Sequence, residues 1–127
     1  MSYYFARTVD TPFQQTVERT VARLKDHGFG VLTKIDVQAT LREKIAADFR
    51  PYVILGACNP RMAHQALQAE DKVGTMLPCN VIVQEVGGRT EVAAVDPVAS
   101  MQAIGNDKLA AVANKVGQEL KSVIESL

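Results

Sequence analysis

The chain has 127 residues and a mass of 13.8 kDa, enough for one domain to bury about two-thirds of its unfolded surface without a disulfide or metal staple. Hydrophobic residues make up 47% and charged residues 22%, a composition that excludes a disordered chain. Fourteen basic side chains balance 14 acidic ones, Trp is absent and aromatics are 6%, which argues against nucleic acid and anionic membranes as partners.

Tyr3 to Val9 is aromatic and β-branched and predicts a first strand. Thr11-Pro12-Phe13-Gln14 predicts a helix start, with Thr11 as the cap, Pro12 in the first turn and Gln14 closing a capping box. Phe13, Val17, Val21 and Leu24 give this helix an apolar stripe, and Gly28 ends it. Phe29 to Val37 predicts a second strand, with Val31, Thr33, Ile35 and Val37 on one face and Lys34 and Asp36 paired on the other. Thr40-Leu41-Arg42-Glu43 reads as a second capping box, opening a short helix that Pro51 stops.

Tyr52 to Ala57 is apolar on both faces and predicts a central strand. It runs into Cys58-Asn59-Pro60, where Asn59 caps and Pro60 begins a third helix. Val73 to Leu77 reads as a loop. Asn80–Val86 and Arg89–Val95 flank Gly87-Gly88, the pattern of a two-residue hairpin. Asp96-Pro97 opens a helical turn, and Asn106-Asp107 caps a last helix striped by Leu109, Val112, Val116, Leu120, Val123 and Leu127. The order of elements, with no linker or repeat, predicts a single α+β domain over residues 1–127. Its sheet is expected to be mostly antiparallel, of about five strands, with helices packed on one face.

No basic segment followed by an apolar one opens the sequence, and no apolar run approaches the roughly 18 residues a membrane helix needs. Two cysteines force no disulfide, so a reducing, cytoplasmic setting is expected.

Those two cysteines are the main candidates for chemistry. Cys58 ends a strand one residue before a helix cap, where the helix dipole favours a thiolate or a bound anion. Cys79 enters the next strand in Pro78-Cys79-Asn80, and both junctions lie at strand ends that can meet in space. The spacing is not the compact C-x-x-C of redox pairs. A structural zinc site needs about four Cys or His ligands, and only His27 and His64 accompany the cysteines, so no metal site is expected. The Gly28-x-Gly30 pair lacks the third glycine of a phosphate loop and precedes a strand, and no nucleophile elbow or zinc-protease motif occurs. No catalytic residue and no cofactor is named by these patterns.

Gly56-Ala57-Cys58-Asn59-Pro60, Ala63, Ala66-Leu67, then Leu77-Pro78-Cys79-Asn80-Val81-Ile82-Val83, then Asp96-Pro97 resemble the prokaryotic family catalogued as domain of unknown function 302. The resemblance runs from Phe13 to about Met101. It implies a small α+β protein with a curved antiparallel sheet that forms homodimers, and it implies no established activity. The expectation is a homodimeric domain that binds or senses a small ligand at Cys58, Asn59, Pro60, Pro78, Cys79 and Asn80. A thiol-dependent redox protein or enzyme using Cys58 and Cys79, and a dimerisation module without chemistry, are the alternatives.

Overall fold

The computed structural model describes residues 2–127. Its strands are β1 (Tyr4–Val9), β2 (Gly30–Asp36), β3 (Tyr52–Cys58), β4 (Cys79–Val86) and β5 (Arg89–Val95). They form one sheet in the order β1-β5-β4-β3-β2, and every neighbouring pair is antiparallel. The helices are α1 (Phe13–Asp26), α2 (Val37–Ile45), α3 (Pro60–Ala69), α4 (Pro97–Met101) and α5 (Asp107–Glu125), with short 3-10 turns at Asp71–Met76 and Gln102–Ile104. The α+β class and the antiparallel five-strand sheet are as expected.

Strand alternation sends Val53, Leu55 and Ala57 of β3, Cys79, Val81 and Val83 of β4, and Val92 and Ala94 of β5 to one side. There they meet Val17 and Leu24 of α1 and Val116, Leu120 and Val123 of α5 in a single core. A second cluster, Ala66, Val73, Met101, Leu109 and Ala113, joins α3 and α4 to the first half of α5. Thr16 and Thr20 also face the core. Their hydroxyls donate back to the carbonyls of Pro12 (2.9 Å) and Thr16 (2.7 Å), and among the described residues no buried side-chain nitrogen or oxygen lacks a partner.

Several helix ends follow the sequence. Asn59 Oδ1 accepts from the Met62 N–H (3.2 Å), Asp96 Oδ1 from Val98 (3.0 Å) and Asn106 Oδ1 from Lys108 (3.0 Å). Gly28 terminates α1 at φ +84°, and Gly87 and Gly88 turn the hairpin at φ +59° and +78°, the paired positive values of a type I′ turn.

Other expectations are corrected. Thr11 does not cap α1; its carbonyl accepts instead from the hydroxyls of Thr16 and Thr90, which fastens the helix start to β5. Asp36 is not the ion-pair partner of Lys34. It caps α2, accepting from the Ala39 N–H at 2.9 Å, so the helix starts at Val37 rather than after Thr40. That helix stops at Ile45 through a left-handed Ala46, well before Pro51. A bulge between Val31 and Thr33 breaks the alternation read along β2, and the segment read as a loop after α3 is a 3-10 turn whose Val73 is buried.

One glycine is fixed by contact. Gly56 lies opposite Thr33 of β2 and Asn80 of β4, and a Cβ there would collide with Thr33 Oγ1 and lie 2.8 Å from Pro78 Cγ. Gly56→Ala is therefore expected to destabilise the fold by about 1–3 kcal/mol, the usual cost of overpacking. A urea midpoint equal to wild type would show that Thr33 and Pro78 move aside freely.

Candidate functional site

Because β3 and β4 are antiparallel, the C-terminus of the first adjoins the N-terminus of the second. Ala57 pairs with Cys79, which places Cys58 and Cys79 at the same end of the sheet. They line one apolar cleft of about 30 Å³ between that sheet end and helices α3, α4 and α5. Asn59 and Pro78 line it as well, together with Phe29, Met62 and Met101. Pro78 follows a cis Leu77–Pro78 peptide bond.

Of the six residues read from sequence as a ligand site, the fold thus gathers Cys58, Asn59, Pro78 and Cys79. Pro60 is exposed at the first turn of α3 and does not line the cleft. Asn80 points to the opposite face of the sheet, because it is the next residue along β4. His64 is exposed on α3 and stands apart from the cleft. His27 holds the end of α1 to α5, with Nδ1 at 3.0 Å from Glu119 Oε2.

Both cysteines are free. Cys79 is buried, Cys58 half-buried. Burial pushes the Cys79 thiol from 9.0 up to about 11, and the neighbouring Cys58 adds to the rise. Cys79 is therefore a protonated thiol near neutral pH, not a nucleophile by itself. Asn59 Oδ1 is committed to the helix cap, and its Nδ2 lies over Gly28. The cleft offers sulfur and hydrocarbon, with very little free hydrogen-bonding capacity. About 30 Å³ admits a water-sized occupant, far below the several hundred Å³ of an ordinary metabolite site.

Two features were missed by sequence reasoning. One is the pair of methionines at the cleft. Met62 is the third residue of α3, and its N–H donates to the Asn59 cap, so its place beside the Cys58-Asn59-Pro60 junction follows once the helix start is known. The other is the make-up of the sheet face that helices packed on one side leave uncovered. Tyr52 and Ile54, Ile82 and Gln84, and Glu91, Ala93 and Val95 alternate onto the side away from α1 and α5. With Tyr3 and Tyr4 at its rim, this face holds a broad hollow of about 380 Å³. Arg50 Nε donates to Gln84 Oε1 (2.8 Å), Gln84 Nε2 donates to Glu91 Oε1 (2.8 Å), and the Arg50 guanidinium lies over the Phe49 ring at 4.4 Å. The period-2 patterns of β4 and β5, with helices on one side only, carried the signal.

The raised Cys79 value ties stability to pH. The folded state holds this proton more tightly than the unfolded state, so the contribution is complete below pH 9 and is lost as pH rises from 9 through about 11. Cys79→Ala is expected to remove on the order of 2 kcal/mol of that alkaline loss. Urea unfolding of both proteins across this range checks it, and parallel alkaline profiles would place the thiol in contact with solvent.

No protein of curated function matches the chain. The crystal structure of an uncharacterized conserved protein DUF302 from Bacillus stearothermophilus is similar, with 31% sequence identity, a TM-score of 0.93, and 98% of each chain covered. Residues 5–127 match the family described as Domain of unknown function DUF302. By that match, spanning the sheet, the cleft and every helix, the chain belongs to the DUF302 family.

Proposed function

We propose that this protein is a cytoplasmic binding or sensing domain whose ligand is very small and occupies the cleft between Cys58 and Cys79. The observation that carries this reading is the convergence of two free thiols from neighbouring strands on one water-sized gap. The free cysteines fit a reducing compartment. Among the described residues, no helix is long and apolar enough to cross a membrane.

Dimerisation is the second part of the reading, and the uncovered sheet face supports it. Tyr52, Ile54, Ile82, Ala93 and Val95 are apolar and only partly buried there, with no helix over them. A second copy is the favoured occupant. The chain carries no net charge to repel its own kind, and one face presents both Arg50 and Glu91, which a two-fold axis can set against each other.

Ala63 lines the cleft, and Ala63→Leu would fill it without touching either thiol. Native mass spectrometry of the purified chain is expected to show a retained small adduct on wild type and none on this variant, with circular dichroism showing that the variant keeps the fold. A bare mass on wild type, or an adduct that Ala63→Leu keeps, overturns the cleft as a binding site.

Light scattering at micromolar concentration is expected to return twice the chain mass for wild type and a folded monomer for Ile82→Lys, whose charge a free sheet face can hydrate. A monomeric wild type, or a variant that stays dimeric, overturns the sheet-face interface.

A further inference from the structure

The described residues include five that contain sulfur, and four of them line the same cleft: Cys58, Cys79, Met62 and Met101. The fifth, Met76, is exposed elsewhere. These four arrive from three directions. Cys58 and Met62 flank the start of α3, Cys79 opens β4, and Met101 ends α4. Cys79 and Met101 are buried at the floor, while Cys58 and Met62 are half-exposed towards the mouth. No carboxylate and no imidazole lines the cleft, and its one polar side chain, Asn59, is held by the helix cap.

This donor set sorts metal ions by softness. Hard cations need oxygen ligands, and structural zinc needs about four thiolate or imidazole donors. Thiolates and thioethers without nitrogen or oxygen select Cu(I). Size points the same way, since about 30 Å³ takes an ion but not a metabolite.

We propose that the cleft is a Cu(I) site, in which the Cys58 and Cys79 sulfurs bind the ion and the Met62 and Met101 thioethers flank it. This deepens the binding-domain reading of the same cleft and rests on it. Binding forms two S–Cu bonds and breaks two S–H bonds. Both protons leave to solvent, copper stays monovalent, and no electron is transferred. Because two protons leave on binding, affinity rises with pH.

The test is anaerobic titration of the reduced chain with Cu(I) against a chromophoric Cu(I) chelator. One tightly held Cu(I) per chain is expected, with sulfur-only coordination in X-ray absorption. Cys58→Ala and Cys79→Ala should each lower affinity more than about 100-fold, and the near-isosteric Met62→Leu about 10- to 100-fold. Circular dichroism and thermal midpoints of the metal-free variants separate loss of the site from loss of the fold, and Met62→Leu carries the test should a cysteine variant unfold. No retained Cu(I), or affinity unchanged in Cys58→Ala and Met62→Leu, overturns the copper assignment. If native mass spectrometry then still finds another adduct that Ala63→Leu removes, only the identity of the ligand has failed. If it finds none, the binding reading fails with it.

Discussion

The antiparallel register of β3 against β4 is the constraint on which the rest of the molecule depends. Ala57 opposite Cys79 brings two junctions, 58–60 and 78–80, to one end of the sheet although the whole of α3 and a 3-10 turn separate them in sequence. In a parallel pair the end of one strand lies beside the end of the next, and Cys58 would sit a strand's length from Cys79. Gly56 guards this arrangement. Its missing side chain is what admits Thr33 from β2 and the ring of Pro78, the residue before β4, on the same stretch of backbone.

The helices then decide what kind of space the junctions enclose. α1 and α5 cover the middle of the sheet with branched aliphatics, and the core there is continuous. Towards the cysteine end that cover passes to α3 and α4, which are short and join the first half of α5 through small residues and Met101. At Gly117 α5 passes Pro97 at a distance where a Cβ would make ordinary contact with the ring, at 3.6 Å. Short helices, small residues and flexible methionines fill a strand-end corner less completely than leucine and valine fill a face.

Much of this was legible in the sequence because its signals are local. Two glycines with positive φ make the hairpin, and Asn59 and Asp96 stand directly before prolines that open helices. The strand-end position of both cysteines already implied that they could meet. What misled was local chemistry with two outlets. Asp36 can pair with Lys34 or cap a helix, and the start of α2 at Val37 selected the cap. Thr11 can cap through its hydroxyl, yet its carbonyl serves as the joint acceptor for Thr16 and Thr90, a link across 79 positions for Thr90 that no window of sequence displays. The size of the cleft and the convergence of the methionines depend on tertiary packing, which no local pattern displays.

That face and the cleft are chemically opposed, which bears on how they divide labour. The face is broad and mixes tyrosine, isoleucine and a chain of hydrogen bonds from Arg50 through Gln84 to Glu91. Its apolar side chains and its hydrogen-bonded polar ones share one solvent-facing surface. The cleft is narrow, and sulfur is its distinguishing atom. Cys79 packs there as a small apolar residue whose buried thiol holds its proton, while Cys58 is the more exposed of the two. Adjacent β4 residues divide the two surfaces, Cys79 facing the cleft and Asn80 the open hollow.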